Sequence, residues 1–160
     1  MVKDSLKLRA RLVTLDAEVE QVRQIRNECR AYMTRSTEPI GPAQQIAWWR
    51  GLDKNENLLL IFDASGITDG IGWTTVAGYG LMRLIAGKWW LSGGLTREFQ
   101  GRGLGKDLFG SLIKAANGPS WLEVLEHNTR AFKTYQALGF VETGREGSVI
   151  TMVRYPNKEA

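Results

Sequence analysis

Apolar and polar positions alternate over residues 7–15, KLRARLVTL, where Leu8, Ala10 and Leu12 interleave with Arg9 and Arg11. That period of two predicts a first strand. Asp16 then stands as a helix N-cap, and Val19, Val22, Ile25 and Cys29 recur at helical spacing through about Tyr32. Pro39, Gly41 and Pro42 make TRSTEPIGP a loop, and Pro42 is suited to start a short helix carrying Ile46, Trp48 and Trp49. From Asn57 the pattern turns to strands: NLLLIFD, a turn at Asp69-Gly70, then IGWTTVAGYGLMRLIAG and KWWLSGGLT. Residues 103–116 return to helical spacing, with Leu104, Leu108, Leu112 and Ala115 in one stripe flanked by Phe109 and Ile113. Gly118-Pro119 ends that helix; SWLEVLE reads as a strand, NTRAFKTYQAL as a helix, and FVETGR and SVITMVRY as closing strands. The order β-α-α-β-β-β-α-β-α-β-β predicts one α/β domain over residues 1–160 with a mixed sheet.

Composition narrows the class. The longest uninterrupted apolar run, Leu58 to Phe62, is far too short to span a bilayer, and the N-terminus offers no signal-peptide block, so a soluble cytoplasmic protein is expected. The net charge of +4 suits an anionic small ligand, while the scattering of the basic residues argues against nucleic acid. Cys29 is the only cysteine and His127 the only histidine, which rules out an intrachain disulfide and removes cysteine clusters and multi-histidine metal sites. No metal is expected, and other groups must carry the chemistry.

The stretch QGRGLG, residues 100–105, joins a strand to an amphipathic helix. A dinucleotide fingerprint needs a glycine three residues after Gly103, where Lys106 stands. A Walker loop needs Ser or Thr after Gly105-Lys106 and a glycine five residues before Gly105; Asp107 and Gln100 hold those places. What remains is Gln-x-x-Gly-x-Gly. Glycines let a phosphate approach the backbone, and the first N–H groups of a helix are unpaired donors at its positive end. From the loop alone, such a phosphate nest and a plain strand-to-helix turn stand on equal footing.

Downstream, VLEHNTRAFKTYQALGF places Asn128 at a strand end, then Ala131, Tyr135 and Leu138-Gly139-Phe140. This resembles the Asn-x-x-Ala-x-x-x-Tyr-x-x-x-Gly-Phe signature of the GNAT N-acetyltransferase superfamily, and the glycine loop resembles that superfamily's Gln/Arg-x-x-Gly-x-Gly/Ala acetyl-CoA motif. The resemblance implies a single-domain GNAT-like fold: a mixed, mostly antiparallel sheet, flanking helices and a splayed central strand pair. It implies acetyl-CoA as co-substrate, its pyrophosphate cradled by the backbone of Gln100, Gly101, Arg102, Gly103, Leu104 and Gly105, with Lys106 beside them. It further implies that Gly93, Gly94, Leu95 and Thr96 pair with the pantetheine arm. Asn128 would hold the coenzyme or the loop, and Tyr135 would act as general acid at the thioester sulfur. A smaller resemblance, in Ile25-Arg26-Asn27, Gln44-Gln45 and Trp48-Trp49, is to the branch containing amino-sugar and ribosomal-protein N-acetyltransferases.

Acetyl transfer needs a neutral amine, and deprotonating an alkyl ammonium at pH 7 costs about 4–5 kcal/mol, so a base or water relay helps. Protonation of a leaving thiolate of pKa about 8.5 is useful, and backbone amides can stabilise the oxyanion. Glu123 and Ser92 are the candidates for base or relay; Glu98 and His127 read better as surface groups, and Cys29 as core. Tyr135 has a plainer reading, as one member of a stripe with Phe132 and Leu138. Among the nearby cations Arg97, Arg102, Lys106, Arg130 and Lys133, one or two are expected to meet coenzyme phosphates. Trp48 and Trp49 are candidates to stack on the acceptor, but neighbours on a helix point about 100° apart, so one is expected in the core and the other exposed. The acceptor is expected to be a small-molecule amine, with an amino sugar as one option. A protein N-terminus or lysine, served by an open groove lined with several acids, is a second option. A non-catalytic acyl-CoA-binding module is a third, and a homodimer is left open.

Overall fold

The computed structural model describes residues 6–35 and 37–156. Its elements run β1 (Lys7–Leu12), α1 (Asp16–Glu28), α2 (Pro42–Gly51), β2 (Asn57–Thr68), β3 (Ile71–Ile85), β4 (Lys88–Leu95), α3 (Leu104–Ala116), β5 (Ser120–Leu125), α4 (Thr129–Ala137), β6 (Val141–Glu146) and β7 (Val149–Arg154). The predicted order holds, and three boundaries move. The start of α1 places Leu15, not Asp16, at the N-cap. The Glu18 carboxylate reaches back to accept from the backbone N–H of Leu15 (2.9 Å) and Thr14 (3.0 Å), which fills the capping role from inside the helix. Asp16 is thereby left in the first turn, where it pairs with Arg50 of α2. At the other end α1 stops at Glu28, and Arg30–Tyr32 tightens into a 3₁₀ turn. Strand β2 extends past Asp63 to Thr68 because its hairpin with β3 stays paired up to the Asp69-Gly70 turn. Both turn residues have positive φ (50° and 75°), the geometry that matches strand twist in a two-residue hairpin.

The sheet order is β1-β2-β3-β4-β5-β7-β6, antiparallel except at β4 and β5. One face carries Phe62, Met82, Leu91, Leu122 and Met152 against Leu108, Phe109 and Leu112 of α3 and Tyr135 of α4. The other carries Leu59, Ile61 and Tyr79 against Val19, Val22, Ile25 and Cys29 at α1, with α2 contributing Ile46, Trp48 and Trp49. Polar residues at period two on β2 and β3 would have broken one of these layers, which is why both strands read as nearly continuous apolar runs.

Helix α3 is seated on glycine. A Cβ on Gly93 would lie 2.6 Å from the Tyr79 carbonyl oxygen and 3.1 Å from Leu108, and one on Gly80 would lie 2.9 Å from Leu112. These positions are kept bare so that the helix can lie close to β3 and β4, which fixes where its N-terminus emerges. A bulge on β3 leaves Ala77 without a β2 partner, between the pairs Phe62↔Gly78 and Asp63↔Val76. The freed Ala77 carbonyl accepts from the Thr96 N–H at 2.8 Å, anchoring the end of β4.

Candidate active site

Strands β4 and β5 pair at Trp89↔Ser120 and Trp90↔Trp121 and then part. Past that point β4 continues to Leu95 bonded to β3, and β5 continues to Leu125 bonded to β7, so a gap opens between them. Backbone groups alternate sides along a strand, and Thr96 N–H bonds β3, so the odd positions face β5: the Leu91 N–H completes the pairing at Trp121, and the Leu91 C=O with the N–H and C=O of Gly93 and Leu95 faces the gap. The Leu95 carbonyl is already used: it accepts from Gln100 Nε2 at 3.0 Å and from Cys29 Sγ at 3.3 Å. Gln100 thus ties the glycine loop to the strand it follows.

The gap opens into a cleft of about 880 Å³ that runs along the loop and the start of α4. Gly101 and Gly103 have φ of 74° and 80°, a left-handed conformation that a side chain makes costly. Helix α3 starts at Leu104 with no side-chain cap, so its first N–H groups are left for another partner. A Cβ on Gly103 or Gly105 would meet nothing within 4 Å, so the space beyond those positions is kept open. Lys106, Arg130 and Lys133 line the same cleft, and a Cβ on Gly101 would lie 3.6 Å from the Arg130 guanidinium. Opposite, Asn128 caps α4, its Oδ1 accepting from Ala131 N–H at 3.4 Å.

Deeper in the cleft stands Tyr135, 9% exposed, with Phe109 edge-on at 4.8 Å and Phe140 at 6.0 Å between ring centroids. The ring belongs to the core, as the stripe reading expected, while its residue also lines the cleft. Burial, with a smaller contribution from Tyr79, raises its pKa, so the hydroxyl stays protonated. Tyr79 of β3 is buried nearby and shifted the same way, chiefly by desolvation. Cys29 packs between Gly94 and Tyr79, and burial, with the Glu28 carboxylate, pushes its thiol up to about 11. It is a protonated core thiol at neutral pH.

A second cavity of about 670 Å³ lies between α1, α2 and the sheet. Met33, Thr34, Tyr79, Leu91, Ser92 and Glu123 line both cavities and mark their junction. Ser92 and Glu123 each stand two residues beyond the last β4–β5 pair, Trp90↔Trp121, and so share one face of the splayed strands. Glu123 is not free: Arg35 donates to it from Nε at 3.0 Å and from Nη2 at 2.8 Å.

The structure sorts the sequence-predicted residues. Gly93, Gly94, Leu95, Gln100, Gly101, Gly103, Gly105, Lys106, Asn128, His127 and Tyr135 line the larger cleft. Thr96, Arg102 and Leu104 lie outside that lining; Leu104 packs in the core and Arg102 sits over the Phe99 ring at 5.4 Å. Trp48 and Trp49 depart from the expected division into one core and one exposed residue. Both are half-buried against the α1 core, and Gln45 is the buried residue of α2. Only Trp48 lines the second cavity; Trp49 carries Lys54 over its ring. Sequence reasoning missed Tyr79, Arg83 and Arg35, and quoted Arg26 only within the Ile25-Arg26-Asn27 resemblance, with no role at a site. Tyr79 stood between two glycines, the one signal that could have marked it.

Among the described residues no helix is long and apolar enough to cross a membrane, and no group of three or more potential metal ligands occurs. The model of the acetyltransferase (GNAT) family matches residues 19–140. No curated protein sequence matches significantly. A domain from Methanocaldococcus jannaschii superposes with a TM-score of 0.80 at 15% identity, covering 95% of this chain and all of that one (100%). The yncA protein of Salmonella typhimurium, solved with its cofactor acetyl-CoA, gives 0.71 at 18% identity, covering 96% of each chain. A phosphinothricin acetyltransferase from Sinorhizobium meliloti, in complex with acetyl-CoA, gives 0.70 at 17% identity, covering 94% of this chain and 88% of that one. These likenesses carry the fold; the family match over most of the chain carries the identity, and this protein belongs to the GNAT acetyltransferase family.

Proposed function

We propose that the protein transfers the acetyl group of acetyl-CoA to a primary amine of a small molecule, the two substrates meeting at the gap between β4 and β5. The observation that carries this reading is the junction of two cavities at Ser92 and Glu123, one running to the glycine loop and the other enclosed by α1 and α2.

The residues present fit acetyl-CoA. Left-handed Gly101 and Gly103, the uncapped start of α3 and open space beyond Gly103 and Gly105 make an anion cradle for the pyrophosphate, with Lys106 and Arg130 as countercharges. Beyond the last β4–β5 pair, the Leu91 carbonyl and the N–H and C=O of Gly93 face the gap and suit strand-like pairing with an amide-bearing arm. Bound there, acetyl-CoA supplies the thioester carbonyl that the amine attacks and the thiol that leaves.

The chain's own groups then divide the remaining work. Tyr135 donates a hydrogen bond to the departing sulfur. Complete proton transfer from a phenol of pKa 10 or above to a thiolate of pKa about 8.5 is uphill by about 2 kcal/mol or more, so Tyr135 acts as donor rather than as full acid. Glu123 is the one carboxylate lining the junction among the described residues, and it draws the ammonium there. With Arg35 holding both of its oxygens, Glu123 stands beside Ser92, and the amine proton passes outward there through water to solvent. A polypeptide acceptor would favour an open groove with several acids; a lining with Glu123 alone supports the small molecule, an amino sugar being one class of suitable size.

Thiol release from acetyl-CoA, measured across amino sugars, amino acids, polyamines, aminoglycosides and peptides, tests the reading. Turnover with at least one small amine is expected. Absence of turnover with every amine, together with no coenzyme binding by calorimetry, contradicts it.

A further inference from the structure

We infer that the acceptor is an amine that also carries an anionic group, a carboxylate or a phosphate, held by Arg26 and Arg83 while its amine lies at the Ser92–Glu123 junction. The inference rests on the acetyltransferase reading and deepens it by naming the acceptor's class.

The charge inside the second cavity points this way. Arg26, Arg35 and Arg83 line it against a single carboxylate, Glu123. Arg35 bonds that carboxylate and balances its charge within the cavity, leaving two guanidiniums in excess while Glu123 still borders the amine's place. Arg26 and Arg83 make no ion pair and no side-chain hydrogen bond with any described residue; several surface arginines are likewise unpaired, but of the three arginines lining this cavity only Arg35 has a carboxylate partner. Two unpaired guanidiniums facing one cavity repel a polycation and present donors that fit a carboxylate or phosphate.

Their placement sets the acceptor's length. Arg83 pairs across the sheet with Trp90, while Ser92 pairs with Leu81, one repeat nearer the coenzyme cleft. The anion site therefore starts about 7 Å along the strands from the junction, before the reach of the arginine side chain is counted. Arg26 approaches from α1, close enough to Tyr79 to affect its hydroxyl. The two guanidiniums enter from opposite walls, helix and sheet, over a space that also includes Trp48 and Trp90. A compact amine with its charge a few bonds away fits; a long cationic chain does not.

Matched probes test this by binding and by turnover. The pairs are L-methionine with L-methioninamide, and glucosamine 6-phosphate with glucosamine; spermidine serves as polycation. Binding to the protein with coenzyme A present is read from tryptophan fluorescence, since Trp48 and Trp90 line the site, and kcat/KM from thiol release. In at least one pair the anionic member is expected to bind about tenfold or more tightly than its match, and which pair does so separates carboxylate from phosphate. Arg83→Gln and Arg26→Gln are expected to erase that preference while the KM for acetyl-CoA stays unchanged, and Arg83→Lys to restore part of it. Preference for the members that lack the anionic group or for spermidine, or a preference that survives both glutamine variants, overturns the inference while leaving the acetyltransferase reading intact. If neither anionic member outbinds its match, the inference is likewise overturned. Failure of acetyl-CoA itself to bind overturns the reading beneath it.

Discussion

The two ends of the active cleft are built from different materials. At the proposed coenzyme end the groups on offer are chiefly backbone, namely left-handed glycines, the uncapped start of α3 and the strand edge at Gly93, with Lys106 and Arg130 beside them. At the acceptor end they are side chains from α1, α2, β3, β4 and β5: Arg26, Gln45, Arg83, Ser92 and Glu123. A backbone site constrains sequence by demanding glycine at fixed spacing, whatever the rest of the chain does. A side-chain site constrains only residues that the sheet brings together from afar. On the reading proposed above, the first end would serve many acceptors unchanged and the second would decide which one is used.

Breaking the backbone end should give the largest effect. Gly103→Val puts a branched side chain where φ is 80° and where the phosphate is to lie, and acetyl-CoA affinity by calorimetry should fall about 100-fold or more. The left-handed φ costs about 1–3 kcal/mol, but a Cβ there meets nothing within 4 Å, so the protein should be destabilised by that strain alone and remain folded. An unchanged affinity would remove the loop from the coenzyme site.

At the junction, Glu123→Gln should lower kcat/KM for the acceptor about 10- to 100-fold by removing the charge that draws the ammonium, with coenzyme affinity kept. Ser92→Ala should cost less, within about fivefold, since water can replace a hydroxyl at an exposed position. Equal effects of the two substitutions on coenzyme and acceptor would show that the ends are not separable. Tyr135→Phe should reduce kcat about tenfold with coenzyme affinity retained, the cost of one hydrogen bond to a charging sulfur; wild-type turnover would exclude that donor.

A last test reads stability rather than binding or turnover, at the seam where α1 meets Gly94. The Cys29 thiol is pushed up to about 11 in the fold from an ordinary value of 9.0, so its contribution to stability is complete below pH 9 and is lost as the pH rises through 11. That loss amounts to about 3 kcal/mol. Cys29→Ala should therefore narrow the stability difference from wild type over that window, read from urea midpoints; a constant difference from pH 8 to 11 would contradict the burial of this thiol.

Legibility followed the same division. Period-two and period-3.6 patterns placed all the strands and helices in order, and errors fell where tertiary contacts decide. Leu15 took the N-cap because Glu18 reaches back to the cap amides, a competition between two acids that spacing alone leaves even. Strand β2 ran on to Thr68 because β3 paired with it throughout, although its last residues lack an apolar face. Gly93 and Gly94 were legible as part of a motif, but their second duty, the close seat of Leu108 and Cys29, is not. At the acceptor end Glu123 and Ser92 could be picked as polar positions on strands. Arg35 could not be matched to Glu123 across 88 positions of sequence, nor Arg26 to Arg83, because only the sheet register brings them to one cavity. Trp48 and Trp49 misled for a related reason: on a helix lying against both α1 and the sheet, two adjacent rings can each be half-buried.

The most direct test of a backbone-built coenzyme end compares acetyl-CoA with S-acetylpantetheine, which keeps the reactive arm and lacks the pyrophosphate. Titrated calorimetrically on the wild-type protein, acetyl-CoA should bind about 100-fold or more tightly, and Gly103→Val should collapse that ratio toward one. Equal affinity of the wild-type protein for both would mean that residues 100–105 hold no phosphate, and that the division between a backbone end and a side-chain end is wrong.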